Sequence, residues 1–284
     1  MDLLFHKNKI KKFTVEYQKP YFQRRKRGII LLSIHFALLA SLLVLAVILV
    51  FHPAIAAAIF ILYSTMAIYY YVKIYKANQL CKDEYYRLLA GIITEEQEID
   101  IEYLKDSPRY RQEIKATRLV NNGDTIGIYK VFKFNKENIT GLVIDVYVTR
   151  SQGKSSITIL QGFVYLYEGE NSIDIQIRND TYRGDKCKKE KELSTRNYSV
   201  YSFDEQTRFE VPSRYFQNFN KVVKLSPQET TAIDFQGNKT AVYVKRKNVL
   251  KIPRLMDDQA IKFCCQELIK MVDLGKEIGE VFVN

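Results

Sequence analysis

The sequence predicts an α+β protein: an N-terminal two-helix transmembrane hairpin, followed by an antiparallel β-rich cytosolic domain with two packed helices. Three observations carry this prediction. Two long runs near the N-terminus contain no Asp, Glu, Lys or Arg. From Thr125 onward the apolar period shortens to two, as in half-buried strands. Two later segments return to helical spacing after strands, with no strand–helix–strand alternation to suggest a parallel sheet.

The charge balance divides the 284 residues unevenly. Residues 1–72 hold nine basic side chains (Lys7, Lys9, Lys11, Lys12, Lys19, Arg24, Arg25, Lys26 and Arg27) against Asp2 and Glu16, and the remainder is close to balanced. Residues 1–27 therefore read as a basic cytosolic segment. The run Gly28 to Phe51 has 24 uncharged residues, and at about 1.5 Å per residue it would cross a ~30 Å hydrocarbon core. A second uncharged run, 54–72, ends in Tyr69, Tyr70 and Tyr71, followed by Lys73. Pro53 falls at the tip of this hairpin, which occupies 28–72. Arg24, Arg25, Lys26 and Arg27 on one side and Lys73, Lys76 and Lys82 on the other place both termini in the cytoplasm by the positive-inside bias. The three tyrosines suit the headgroup level, and the arginines and lysines are candidate lipid contacts. A cleaved signal peptide would have a shorter apolar core and a polar mature end. Within the runs only Ser33, His35, Ser41, Ser64 and Thr65 are polar, which speaks against an ion path; His35 reads as lying near the interface.

Residues 73–94 continue as a helical stalk with Gly91 as its stop, and the acidic stretch Glu95 to Glu102 marks entry into a cytosolic domain, 95–284. Strands are expected over TIGIYKVFKF from Thr125, GLVIDVYVT from Gly141, SITILQGFVYLYE from Ser156 and SIDIQIRN from Ser172, forming one antiparallel meander. Arg183 to Arg196 is polar and reads as a solvated loop. Strands resume at YSVYSF and TRFEV. Pro212 and Ser213 then open a helix whose Tyr215, Phe216, Phe219, Val222 and Val223 share a face. A hairpin, TAIDF and TAVYVKR, turns at Gln236 to Lys239. The last helix carries Ile261, Cys264, Cys265, Leu268, Ile269 and Val272 on one side, is capped by Asp257 or Asp258, and is expected to end near Gly275.

Composition restricts the chemistry. The three histidines are His6, His35 and His52, so the cytosolic domain has none. This excludes Ser-His and Cys-His nucleophile pairs and imidazole-ligated zinc in that domain. Cys81, Cys187, Cys264 and Cys265 show no C-x-x-C spacing, and the paired thiols sit on an apolar helix face. No cofactor or metal site is predicted. The GKS of residues 153–155 lacks a phosphate-loop glycine, because Val148 stands where one is needed. Asp204, Glu205 and Arg208 form a candidate polar cluster, more simply an Asx turn with a surface ion pair. Nucleic acid is not an expected partner, since the basic cluster adjoins the apolar run.

Three stretches carry a family resemblance: ILQGFVYLYE (Ile159 to Glu168), VYSFDEQTRFEVP (Val200 to Pro212) and KNVLKIP (Lys247 to Pro253). With the two apolar runs they resemble the bacterial membrane proteins grouped as domain of unknown function 3137. The resemblance implies two N-terminal spans, a β-rich cytosolic region and a protein partner of LemA type, and it implies no catalytic activity. The intervals Asp204 to Arg208 and Arg208 to Pro212 are each a residue shorter than that pattern. The leading functional reading is a membrane-anchored binding or scaffold module at the inner membrane, engaging a membrane or cytosolic protein or further copies of itself. The alternatives are a tethered enzyme without histidine chemistry and a module that senses anionic lipid.

Overall fold

Leu3 opens a helical stretch that keeps right-handed helical dihedrals to Ile48 in the computed structural model. The structure describes residues 3–48, 53–97, 99–121, 123–153, 155–169, 174–179, 191–194, 198–202, 213–225, 231–245 and 250–283. They form two compact units, Met1–Leu88 with Ile252–Ala260, and Leu89–Lys251 with Ile261–Asn284.

In the first unit a short 3-10 turn, Leu3–His6, runs into α1 (Lys7–Phe13), a π-helical segment (Thr14–Gln18) and α2 (Lys19–Ile48). The basic N-terminal residues are thus part of a long helix. Its partner is α3 (Pro53–Glu96), which begins at a proline, whose missing N–H costs nothing in a first turn. The stalk reading and the second apolar run join into this one element. Gly91 does not stop it: the helix runs on to Glu96, and the Gln97 N–H closes on Ile93 O at 2.8 Å. The two long helices lie antiparallel: the Cβ position of Gly28 is 3.5 Å from Ile74, the His35 ring stacks on Tyr63 at 4.8 Å, and the Phe13 ring lies 5.8 Å from Tyr85. Ile10 and Phe13, one helical turn apart, are buried, as are Cys81 and Tyr85 on α3. At the π segment the Gln18 amide turns inward and donates to Pro253 O at 2.8 Å and Arg254 O at 3.2 Å.

The second unit is built on a nine-stranded antiparallel sheet with order β1-β2-β3-β4-β9-β8-β5-β7-β6. The strands are β1 (Asp100–Leu104), β2 (Thr125–Lys136), β3 (Ile139–Gln152), β4 (Ser155–Glu168), β5 (Ile175–Asn179), β6 (Lys191–Ser194), β7 (Tyr198–Ser202), β8 (Thr231–Gln236) and β9 (Lys239–Val244). The expected four-strand meander holds only for β2, β3 and β4. The β8–β9 hairpin is inserted between β4 and β5, so β5 pairs with β8 and β7 instead. The sequence does not announce two of the strands: β1 begins within the acidic stretch, its buried Ile101 and Tyr103 alternating with exposed Asp100 and Glu102, and β6 lies within the expected loop. TRFEV falls outside the described residues.

Both sheet faces are covered. Ile126, Val131, Ile144, Val146, Val164 and Tyr243 face a cluster completed by Leu119, Val120 and Ile114 of α4 (Pro108–Ala116). That short helix went unread because Ile114 is its one buried residue. On the other face α6 (Asp258–Val283) packs against Phe134, Tyr165 and Tyr167. It does not end near Gly275. At Gly275 a Cβ would lie 2.8 Å from Phe134, and at Gly279 one would lie 2.3 Å from Ile139. These glycines permit close helix–sheet approach and serve no capping role. The helix α5 (Ser213–Leu225) sets Tyr215 edge-on to Phe235 of β8 and Phe219 against Tyr198 of β7. Cys264 and Cys265 are buried on α6, and Asp257 Oδ1 accepts the Ala260 N–H at 2.7 Å as the cap.

Candidate functional site

The helix pair brings most of the sequence-predicted surface residues together. Because Gly28 stands beside Ile74, Arg24, Arg25, Lys26 and Arg27 share a level with Lys73 and Lys76 of the neighbouring helix. Arg24 is half-buried and the other five cations are exposed. Tyr69 and Tyr70 are 70% and 40% exposed, and Tyr71 is half-buried. No acidic residue occurs between Glu16 and Asp83 to neutralise this collar. Toward the hairpin tip the collar gives way to exposed apolar side chains, among them Ile29, Ile34 and Phe36 on α2 and Phe60, Leu62 and Met66 on α3. His35 is not an isolated interfacial group, since it is stacked on Tyr63 between the helices. Away from the tip, burial pushes the Cys81 thiol up to about 11 despite the nearby charges of Arg24 and Lys82.

Among the described residues no helix is long and apolar enough to cross a membrane. The uncharged runs of the sequence extend past that set, because residues 49–52 and the side chains of 42, 43, 45–56 and 59 lie outside it. Asp204, Glu205 and Arg208 also lie outside the described residues.

The sheet unit contains three polar clusters that sequence reasoning missed. Each joins residues distant in the chain or opposed across strands. Lys130 and Asp145 are paired across β2 and β3, next to the bulge at Tyr129, with Nζ 2.8 Å from Oδ2 and both side chains almost fully buried. Burial lowers the lysine pKa and raises that of the aspartate, while their attraction opposes each shift. Arg118 donates from Nε to Asp234 Oδ1 at 3.0 Å and through its backbone N–H to Oδ2 at 3.1 Å; Gln176 Nε2 donates to Arg118 O at 2.9 Å. Burial raises the Asp234 pKa even against Arg118. Asp124 accepts two bonds from Arg150, at 2.8 and 2.9 Å, and the Asn121 N–H. Burial alone would raise its pKa, but these donors outweigh it and hold the carboxyl below its usual range.

These clusters tie strands and connections together, with carboxylates committed to guanidinium or ammonium partners. Arg118 secures the chain after α4 to β8, and Arg150 secures the turn before β2. Burial pushes the Cys265 thiol up to about 12, which suits packing and not nucleophilic attack. A shallow, open cleft of ≈ 400 Å³ lies at the end of the sheet, lined by Thr94, Gln97, Ile99, Asp100, Asn135, Glu137 and Asn138. Glu137 is drawn away to Lys276. Among the described residues no group of His, Cys, Asp or Glu could hold a metal ion.

No family model matches this chain. Curated proteins and solved structures give no match either. The most developed candidate surface is therefore the helix pair, with its cationic collar and the exposed apolar side chains beyond it.

Proposed function

We propose that the chain is a membrane-anchored binding or scaffold module of the kind grouped as domain of unknown function 3137. In this reading α2 and the first half of α3 form a transmembrane hairpin, both termini are cytoplasmic at the inner membrane, and the sheet unit engages a protein partner. One observation carries the anchor: two antiparallel helices change together from a cationic collar to exposed, uncharged apolar surface. Exposed side chains of this kind cost free energy in water and none in hydrocarbon. The binding role is supported by the buried carboxylates described in the sheet unit, Asp124, Asp145 and Asp234, each of which is paired with a structural cation. A membrane or cytosolic protein, of LemA type or a second copy of the chain, remains the proposed partner.

The test is crosslinking of the full chain in cells, followed by an alkaline wash of the membranes, detergent purification and mass spectrometry. Retention in washed membranes with a near-stoichiometric partner is expected. Release by the wash would overturn the anchor. Recovery of the chain alone would overturn a stable hetero-complex and favour the enzymatic alternative, to be screened with the purified protein.

A further inference from the structure

We propose that Arg24, Arg25, Lys26 and Arg27 of α2 and Lys73 and Lys76 of α3 form one binding collar for anionic phospholipid headgroups, and that Lys7, Lys9, Lys11 and Lys12 have no part in it. The inference rests on the anchored reading above. In the sequence the cations from Lys7 to Arg27 look like one basic N-terminal excess, and the helix separates them into two groups.

Register supplies the first argument. The contact of Gly28 with Ile74 puts cations from both helices at one height, immediately below the uncharged surface. Tyr69 and Tyr70 stand about one turn nearer the tip, where a ring and a hydroxyl suit the boundary. A phosphodiester that carries acyl chains matches both parts of this surface, with its charge on the collar and its chains on the apolar side chains beyond. A free anion matches only the collar.

Helix length supplies the second. At about 1.5 Å per residue, Arg24 to Arg27 lie within ~6 Å of Gly28, whereas Lys12 is ~24 Å away and Lys7 ~31 Å. The facing helix gives a shorter measure that still exceeds the screening length: Phe13 packs on Tyr85, which is ~16 Å along α3 from Ile74. Exposed charges separated by more than about 8 Å are largely screened at physiological ionic strength. The four lysines of α1 and its flank therefore lie beyond the reach of the headgroup field.

The test reconstitutes the full-length chain in nanodiscs of mixed phosphatidylcholine and phosphatidylglycerol and counts co-released lipids by native mass spectrometry. The unaltered protein should enrich phosphatidylglycerol, less so as salt is added, and inorganic phosphate at matched ionic strength should not compete. Joint replacement of Arg24, Arg25, Lys26 and Arg27 by Gln should cut the enrichment about tenfold. The pair Lys73→Gln and Lys76→Gln, which leaves the arginine signal for topology intact, should reduce it in part. Replacement of Lys7, Lys9, Lys11 and Lys12 by Gln should leave it unchanged. Equal loss in the α1 and α2 variants, competition by phosphate, or no enrichment in the unaltered protein would overturn the collar. Failure of the unaltered chain to enter nanodiscs would overturn the anchored reading and the collar with it.

Discussion

Gly91, Gly275 and Gly279 are all helical, yet their surroundings make opposite predictions. Nothing lies within 4 Å of a Cβ built at Gly91, so Gly91→Ala should stabilise by about 0.5–1 kcal/mol through helix propensity. Gly279→Ala would drive a methyl into Ile139 and should cost about 1–3 kcal/mol. Thermal unfolding of both variants in one detergent checks the pair. The buried ion pair gives a second contrast. Lys130→Met leaves Asp145 without its ammonium and should cost about 3–5 kcal/mol, whereas adding Asp145→Leu should recover most of that loss. Chemical denaturation of these two variants and of Asp145→Leu alone closes the cycle. Asp124 gives a pH dependence. Its folded pKa is lowered, so its contribution to stability is present above the unfolded value of 3.8 and is lost as pH falls through the folded value. Asp124→Asn should therefore lower the Tm near neutrality and converge on the parent in acid. None of these partners was legible in the sequence: Lys130 looked like one more polar position in a strand, and Arg118 is 116 residues from Asp234.

Elements whose signals are local were legible. The β8–β9 hairpin declares itself through Gly237, at φ +45°, between two apolar runs, and α6 declares its apolar face through a 3.6 period. Elements defined by distant partners were not. β5 carries an ordinary strand pattern, and nothing in it says that a hairpin some 60 residues later will take the place beside β4. The end assigned at Gly275 failed for the same reason, since its explanation is Phe134 on another strand. The π segment was equally silent, although it aims Gln18 at Pro253 and Arg254. Gln18→Leu removes both bonds and should accelerate tryptic cleavage after Arg254, measured by mass spectrometry of the intact chain; an unchanged rate would assign no restraint to the amide.

For the whole molecule, the candidate surface was the most legible part, because it is written in composition: charge, then its absence, then charge again. What the sequence could not supply was the register between the helices, which joins Lys73 and Lys76 to the arginines. The anchored reading predicts a response to charge placed in either uncharged half. Ile34→Arg and Met66→Arg should each disfavour insertion by about 2.5–3.5 kcal/mol. The readout is the fraction of chain retained in alkali-washed membranes, and undiminished retention of the double variant would argue against the hairpin.

Tyr165 and Tyr167 of β4 donate to the carbonyls of Met271 and Gly275 at 3.2 and 2.5 Å. Two strand residues advance about 6.6 Å and four helix residues about 6 Å, so sheet and helix act as two rulers whose marks coincide at these hydroxyls. A slip of α6 by one residue would lose both marks. A slip of one full turn would restore them, but it would bring Met271 into the place of Gly275 or, in the other direction, Val283 into that of Gly279, where only bare backbone now fits. Hydroxyl pair and glycine pair together work as a keyed lock with a single seating, so α6 cannot ratchet along the sheet.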